Sequence, residues 1–554
     1  MKKRYIFWSI VALTLGVLSA SAQAPTDAYR NVKEGASGTA RSQSLGGAMG
    51  AVGADATAAY INPAGAGLFQ RNTITFGFDL GNWKTTTEGT DGVEKRQKFL
   101  GNFNHASIFF PLVSTSSGSS GYFKMIMGIS TGKDYDYARN YSLLSGALPG
   151  GITDFMSFRA INAGIEAGDY YRDSDYDPMM QPLDPVVVMG MNGEFILPAV
   201  DEGMDPLKSK DFVSNMYVLY DNGDADFLLP VSSDLHVNEK GGRHSTDLLL
   251  AGSFSDLFYL GASLRIGSSY FSRNSMYRED FDNKAYLEYG NSISTKGSSV
   301  GVNLGAIVAL GDFGRLGVSY LTPQYAQYEE RYRSTTRLFH PDFDPTANQI
   351  DFDSQEYRSS YAMMMPGKLT LSAMAFIGRF GFVTYDYQYR NIGNAKLYAP
   401  NTFDETFESG FIKEDYGQEN THRLGIEIRP ASWLSLRGGM SYTDSPIKVS
   451  ELLANPLDQE LAYEVPTSGT ITDFSIPRSY STYSAGVGFN LGSGISLDMA
   501  YVQSNRKQSV YPFSGYSFSA KDQWGGDVDY NLSARGGKLS EVRNSFVTTL
   551  VFRY

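Results

Sequence analysis

Phe546-Val547-Thr548-Thr549-Leu550-Val551-Phe552-Arg553-Tyr554 ends the chain and carries the pattern on which the fold depends. Its residues alternate between two faces, as in a β-strand, where successive side chains point to opposite sides. The apolar face holds Phe546, Leu550, Phe552 and Tyr554, and the polar face holds Thr549 and Arg553. The pattern predicts a terminal strand with one apolar and one polar face.

The aromatic residue in the last position, Tyr554, adds to this prediction. A strand that ends on an aromatic residue resembles the C-terminal signal by which barrel proteins are recognised for insertion into an outer membrane. We therefore expect the barrel assembly machinery and outer-membrane lipid among the partners of this chain.

The same alternation recurs in hairpins further up the chain. Apolar and polar residues alternate through 368–377, 383–390, 423–429 and 434–442, and a further hairpin turns at Gly492-Ser493-Gly494. Strands of this kind bury one face and expose the other to water. In a sandwich the apolar face meets a second sheet, whereas in a membrane barrel it meets lipid and the polar face lines the lumen.

Counting such segments gives about fourteen strands, centred near residues 78, 105, 128, 249, 264, 304, 323, 371, 385, 424, 437, 485, 501 and 548. Tight turns alternate with long polar connections; the turns are Ser255-Asp256, Gly311-Asp312, Gly378-Arg379, Pro430-Ala431 and Gly492-Ser493. This asymmetry is typical of outer-membrane barrels. The sequence predicts an all-β protein, a transmembrane antiparallel β-barrel of about 14 strands with both termini in the periplasm.

The beginning of the chain has the pattern of a secretory signal peptide. Lys2, Lys3 and Arg4 precede the apolar stretch 6–18, and Ala20-Ser21-Ala22 supplies a small-residue cleavage site. The stretch is shorter than the ~20 residues that a membrane helix needs. Residues 1–22 are therefore predicted to be removed on export.

Composition supports this compartment. The chain has 37 Tyr, 34 Phe and 58 Gly, its charged fraction is only 19%, and it has no cysteine. A soluble protein usually carries roughly a quarter charged residues, and the lack of cysteine excludes disulfides, thiolate metal sites and a lipidated cysteine. We expect the outer membrane of a Gram-negative bacterium, with a secreted all-β sandwich array as the competing class.

Ahead of the first strand lies a run of small residues, 45–56, followed by Tyr60-Ile61-Asn62-Pro63-Ala64-Gly65. This region resembles the N-terminal hatch of the FadL-like transporters of long-chain fatty acids and other hydrophobic compounds, whose hallmark is an Asn-Pro-Ala motif before strand one. The hairpins 366–390, 422–446 and 480–502 are also similar to that family, including Arg437-Gly438-Gly439 and Asp444-Ser445-Pro446.

The resemblance implies that residues 23–70 form a hatch, which plugs a barrel formed by residues 71–554. In that family a hydrophobic ligand enters an apolar pocket and leaves sideways through a kink in the third strand. Gly128 and Gly132 are the expected kink sites, because glycine marks distortions in strands; the alternative is that they pack against neighbours. The implied protein is a porin-like passive channel, monomeric, with no nucleic-acid partner.

One segment departs from the family pattern. The connection 143–245 holds 17 acidic and six basic residues. Loops of this length are usually functional or disordered, and Phe155, Phe158, Ile161 and Ile165 predict a helix within it. We expect an acidic extracellular loop, which is also a candidate surface for a receptor or adhesin.

The sequence contains no evident catalytic site, so we expect no enzyme and no cofactor. The five histidines are scattered, and His422, at the start of a strand, is interpreted as an interfacial side chain. Asp173, Asp175, Asp177 and Asp184 match a calcium-loop register only partly, because Pro178 replaces the required glycine. Five residues are expected in the lumen, either pairing with one another or orienting a ligand: Asp386, Glu427, Arg429, Arg437 and Asp498.

Three functional classes therefore compete. The first is a passive channel for hydrophobic molecules, the second a barrel lipase or protease, and the third a surface receptor or adhesin acting through 143–245. A TonB-dependent receptor is disfavoured, because a 22-stranded barrel with its plug fits this length poorly. The identity of the ligand stays open at this stage.

Overall fold

A computed structural model describes residues 24–116, 122–171, 183–200, 203–219, 225–341, 348–400, 402–521 and 527–554. The predicted signal peptide, 1–22, lies outside the described residues. Within them, the strands are β1 Thr73–Gly89, β2 Gly92–Ser116, β3 Tyr122–Asp136, β4 Arg139–Ser145, β5 Ile196–Pro198, β6 Phe212–Ser214, β7 Tyr217–Leu219, β8 Ala225–Phe227, β9 Ser232–Phe254, β10 Phe258–Asp280, β11 Tyr286–Ala309, β12 Gly314–Leu321, β13 Gln324–Phe339, β14 Gln349–Asp353, β15 Tyr357–Met365, β16 Lys368–Ile377, β17 Gly381–Asn391, β18 Lys396–Tyr398, β19 Gln418–Ala431, β20 Leu434–Thr443, β21 Phe474–Gly492, β22 Ile495–Tyr511, β23 Tyr516–Lys521, β24 Asp527–Leu532 and β25 Gly537–Arg553.

The long strands close into an antiparallel barrel. Each pairs with the next in chain order, and β25 returns to pair with β1, so that no edge is left open. Counting β3 with β4, β12 with β13, and β15 with β16 as single wall strands gives fourteen. Thirteen of the predicted centres lie within these strands, and the remaining one, 323, lies in the break between β12 and β13. The predicted fold class is confirmed.

Two wall strands are interrupted at proline. The seventh breaks between β12 and β13 at Thr322-Pro323, and the eighth breaks between β15 and β16 at Pro366-Gly367. Proline lacks the N–H that a ladder requires. The predicted centre near 323 therefore marks an interruption of the seventh strand and not its middle.

The barrel wall is apolar outside and polar inside. On β16 and β19, Leu371 and Ile426 are 46% and 38% exposed, whereas the neighbouring Asp386 and Glu427 on the inner face are fully buried. The terminal strand follows the same rule, with Phe546 facing out and Thr549 buried within. In a water-soluble sandwich this exterior would be an aggregation surface, whereas in a bilayer it is the lipid-facing belt. The chain is therefore an outer-membrane barrel.

The five predicted tight turns all lie at one rim, together with the start of β1 and the end of the chain. The turn predicted at Pro430-Ala431 lies at Ser432-Trp433, because β19 extends to Ala431. Several need left-handed backbone: φ is 54° at Ser255, 51° at Asp256, 59° at Gly311 and 52° at Gly378. The opposite rim carries long connections, of which the longest runs from 146 to 231. This connection is shorter than the predicted loop 143–245, because β4 ends at Ser145 and β9 begins at Ser232.

The helices lie within the N-terminal segment and the connections at the far rim. They are α1 Pro25–Val32, α2 Ala40–Ser44, α3 Ile152–Ala163, α4 Pro185–Asn192 and α5 Glu408–Asp415. The helix predicted from Phe155 is α3, which ends at a left-handed Gly164 and so excludes Ile165. Among the described residues, no helix is both long and apolar enough to cross a membrane.

Candidate functional site

Residues 24–70, called the N-terminal segment below, contact the inward-facing side chains of the wall. The segment comprises α1, α2 and two short 3-10 helices, Ala56–Ala59 and Pro63–Leu68. Its hydrophobic anchors are few; Leu45, Met49 and Val52 pack against Met374 and Phe382 of the wall. With so little apolar surface of its own, the segment depends on the wall for its conformation.

Wall side chains hold the segment by donating hydrogen bonds to its backbone carbonyls. Six of these bonds are Ser263 to Ala59 (2.6 Å), Asn303 to Tyr60 (3.0 Å), Ser319 to Ile61 (2.7 Å), Arg315 to Val52 (2.9 Å), Arg390 to Val32 (2.7 Å) and Arg506 to Glu34 (2.7 Å). Buried carbonyls need partners, and here the wall supplies them one at a time along the segment.

The wall also accepts hydrogen bonds from the segment. Asp386 accepts from the backbone N–H groups of Met49 and Gly50 at 3.0 and 2.9 Å, and Thr549 accepts from that of Ala40 at 2.8 Å. Asp386 therefore serves as an anchor for the segment, and among the described residues it takes part in no ion pair of the wall.

The other four predicted lumen residues form an ion-pair cluster. Arg437 bonds Glu427 at 2.8 Å and Asp498 at 2.6 Å, and Arg429 also pairs with Glu427. Arg41 of the segment joins the cluster through Glu427 at 3.2 Å. The pairing that we predicted among these residues is present, and it includes a tether to the N-terminal segment.

Inward-facing glycines let the segment approach the wall. A Cβ placed on Gly439 would lie 2.1 Å from the backbone N of Gly46, and one on Gly261 would lie 2.4 Å from the backbone of Pro63. Glycine in a strand often marks such a close backbone approach. The Arg437-Gly438-Gly439 motif thus has a structural reason, since its third residue leaves room for the segment.

Asn62-Pro63-Ala64 forms a buried corner of the segment. Asn62 caps the 3-10 helix by accepting from the backbone N of Ala64 at 3.2 Å, and it donates to the carbonyl of Gly50 at 2.7 Å. Pro63 occupies the first helical position, where no N–H is needed. The motif holds two parts of the segment together and lies against the wall glycines of β10 and β11.

Gly128 and Gly132 are paired with β2 on one side and β9 on the other. A register shift in β3 falls just past them, between Lys133 and Tyr135. A Cβ on Gly128 would lie 2.2 Å from the ring of Phe109, and that ring stacks on Phe69 of the segment with 4.6 Å between centroids. Gly128 therefore makes room for a contact between wall and segment.

A cavity of about 130 Å³ lies between the segment and the wall, and most of the residues that line it are charged or polar. Its charged lining residues are seven basic and four acidic: Arg243, Arg265, Lys368, Arg423, Arg478, Arg506 and Lys507, with Glu34, Asp134, Glu419 and Asp444. This cavity therefore differs from the apolar pocket that the resemblance implies. The sequence analysis did not identify these residues as a site, although the alternation placed Lys368 and Arg423 on the polar face.

Other candidate sites have structural roles. His422 is exposed at the outer surface and bonds the hydroxyl of Tyr385 at 2.7 Å, which agrees with an interfacial position. Asp173, Asp175 and Asp177 lie outside the described residues, while Asp184 caps α4 and pairs with Arg159. In the part of the chain that the structure describes, no three His, Asp or Glu side chains are placed to hold a metal ion.

Comparison with known proteins gave matches among solved structures. No protein-family model and no curated protein matches the chain. The matched structures include a Pseudomonas aeruginosa FadL homologue (TM-score 0.46, 11% identity, 94% of this chain and 99% of the other), the CymD monoaromatic hydrocarbon channel (0.44, 11%, 94% and 98%) and the Pseudomonas putida toluene transporter TodX (0.44, 12%, 94% and 100%).

Proposed function

We propose that the chain is a passive outer-membrane channel that admits small hydrophobic molecules, such as long-chain fatty acids, by binding them inside the barrel and releasing them sideways into the membrane. The observation that carries this proposal is the N-terminal segment, which lies against the inner wall and is held there by separate polar contacts. A segment attached in this way can act as a hatch.

The physics of such a channel requires no energy source. Each buried methylene group contributes about 0.8 kcal/mol to the binding of an aliphatic chain. The hatch contacts are individually weak, because a net hydrogen bond contributes about 1 kcal/mol. A ligand that replaces a few of them can therefore shift the segment without unfolding the barrel.

Lateral release is proposed beside β3, where Phe69 of the segment stacks on Phe109. Exposed backbone groups are costly in lipid, so an opening must be local, and the register shift between Pro111 and Val113, close to Phe109, already disturbs the ladder there. Replacing both Gly128 and Gly132 with valine should displace Phe109 and abolish uptake while the barrel still assembles. Normal uptake by that double variant would place the exit elsewhere.

A disulfide lock tests whether the segment must move. A Cβ on Gly50 would lie 2.9 Å from that of Ser372 on the wall, within about 1 Å of the separation that a disulfide needs. The chain has no native cysteine, so the pair G50C and S372C is the only one that can form. Oxidation should stop uptake of radiolabelled dodecanoate and toluene by a host that lacks its own channels, and reduction should restore it.

The two single-cysteine variants are the controls, because neither can form the bridge within one chain. In each of them the uptake rate should be the same under oxidising and reducing conditions. Unchanged uptake in the fully oxidised double variant would disprove the gating role of the N-terminal segment.

The receptor or adhesin alternative rests on the long acidic connection. The described part of that connection packs into the mouth of the barrel, where Val186, Val187 and Val188 of α4 are fully buried. This burial favours a connection that caps the lumen rather than an adhesive loop that projects freely. Deleting 146–231 should change uptake; loss of surface binding with uptake unaffected would favour the receptor instead.

A further inference from the structure

Glu34 of the N-terminal segment places its carboxylate among basic side chains at the cavity between the segment and the wall. Its oxygens lie 3.0 Å from Nζ of Lys368, 3.5 Å from Arg390 and 3.9 Å from Arg423, and it accepts a hydrogen bond from Gln388 at 3.2 Å. All four partners belong to the wall. The segment thus supplies an anion to a basic site that the barrel itself has built.

The electrostatics of the site favour a charged occupant. Burial alone would raise the pKa of Glu34, but Lys368 and Arg390 hold that pKa well below its ordinary range. A carboxylate in this position is therefore ionised at neutral pH.

Even with Glu34 in place, two arginines that line the cavity have no carboxylate partner among the described residues. Arg506 donates to the carbonyl of Glu34 and lies over the ring of Tyr480, and Arg478 bonds Ser509. Within the described residues, neither arginine has a carboxylate at ion-pair distance. Arg506 is buried and Arg478 is partly buried. A buried cation without an anionic partner is costly, so the site can accept a further anion.

The same basic residues hold the backbone around Glu34. Arg390 donates to the carbonyl of Val32 at 2.7 Å, Arg243 donates to that of Lys33 at 2.6 Å, and Arg506 donates to that of Glu34. Binding an anion at these side chains therefore competes directly with the contacts that keep residues 32–34 in position.

We propose that Glu34 is an internal stand-in for the anionic group of the transported ligand, and that an amphipathic carboxylate takes over its cations and so releases the N-terminal segment. This inference rests on the proposed channel function and deepens it by naming the residue of the segment whose contacts the carboxylate of the ligand replaces. Exchanging one carboxylate for another is nearly neutral in free energy, because the same charge-assisted hydrogen bonds are re-formed. Burial of the apolar chain then drives the exchange.

The first experiment leaves Glu34 intact and measures release of the segment. Ala36 is exposed to the cavity two residues after Glu34, and A36C is the only cysteine in the chain. Its labelling by a water-soluble thiol reagent, in protein held in a neutral detergent, should accelerate severalfold with dodecanoate. The same concentration of dodecanol or of acetate should leave the rate unchanged.

The second experiment removes the internal competitor. With E34Q, the dissociation constant for dodecanoate should fall about tenfold, the effect of one hydrogen bond to a charged group, and that for dodecanol should stay the same. D27N is the matched control, because it removes a carboxylate from the same segment but outside the cavity. Its affinity for dodecanoate should equal that of the unmodified protein.

Three outcomes would overturn the inference: equal acceleration by dodecanol, equal acceleration by acetate, or dodecanoate affinities that E34Q and D27N raise alike. Failure of the proposed function gives a different result. In that case neither toluene nor dodecanoate is taken up by cells, whereas failure of this inference alone leaves uptake intact and independent of the carboxylate.

Discussion

Gly438 and Gly439 are adjacent residues with opposite surroundings. Gly439 faces inward onto the backbone of Gly46, whereas a Cβ on Gly438 would meet only the side chain of Ile426, at 3.8 Å. The contrast separates two roles of glycine in strands, since only the inward residue must lack a side chain for the segment to dock.

We expect G439V to displace the N-terminal segment and G438V to leave it in place. Valine at 439 would push its Cβ into backbone atoms that cannot rotate away. The measurement is ion conductance through protein reconstituted in planar bilayers, where G439V should leak and G438V should match the unmodified barrel. Equal conductance of the two variants would show that the segment does not depend on this contact.

A single residue, Lys33, should also make the docking of the N-terminal segment depend on pH. Burial lowers its pKa to about 7, and the charges of Arg139 and Arg506 act in the same direction. Because a lysine in the undocked segment titrates near its ordinary pKa, the docked state binds fewer protons between the two values. Docking is therefore weakest below pH 7 and strengthens as the pH rises from about 7 towards 10.

This dependence should appear in the labelling of A36C. Between pH 7 and 9 the rate for A36C should fall relative to the rate for the A36C/K33M variant, in which residue 33 does not titrate. Taking this ratio cancels the pH dependence of the thiol reaction itself. A ratio that does not change with pH would show that Lys33 keeps its charge on docking.

At the scale of single elements, β25 closes the barrel. It pairs with β22 on one side and β1 on the other, and the backbone N of Tyr554 donates to the carbonyl of Asn72 at 3.1 Å. Shortening β25 opens an edge inside the membrane, where unpaired backbone groups are strongly unfavourable.

Removing Phe552 to Tyr554 should therefore block assembly. The expected result is loss of the heat-modifiable band on gel electrophoresis and loss of the protein from the outer-membrane fraction. R553Q is the control, because it keeps the terminal aromatic residue and should assemble normally. A truncated protein that still forms a heat-modifiable barrel would contradict the importance of this terminus.

At the scale of the whole molecule, the far rim is closed by a cap formed from several connections. Phe155 of α3 stacks on Phe513 with 5.6 Å between ring centroids, and Phe513 in turn meets Tyr277 of the wall. The largest apolar cluster among the described residues lies here and includes residues of α1 of the N-terminal segment. Cap, wall and segment thus share one core.

Replacing Phe155 with alanine should loosen this cap without opening the barrel. The cavity left by a buried phenylalanine costs about 3–5 kcal/mol, and here that cost falls on the connection. We expect greater sensitivity of the host to bulky hydrophilic antibiotics, with a normal heat-modifiable barrel. M204A, at an exposed position of the same connection, should have no effect; an equal effect of both would argue against a packed cap.

The sequence was most informative where side chains alternate. Leu369 to Ile377 and their partners on the next strand were assigned to the correct faces, because a period of two leaves few options once one face must meet lipid. The interruption at Pro323 escaped the strand count, since the flanking residues keep the alternation on both sides of it. The cap was anticipated only as one helix, because its packing involves residues far apart in the chain.

Sequence alone determined that this protein is an outer-membrane barrel of fourteen strands, since periodicity, turn residues and the terminal aromatic are local properties. Only the tertiary structure decided what the interior contains. Contacts around Glu34 bring together Lys368, Arg390, Arg423 and Arg506, which are distant in the chain, and their proximity depends on how the segment crosses the lumen. Electrostatic complementarity of this kind arises from position in space, because no local pattern brings residue 34 to residue 506.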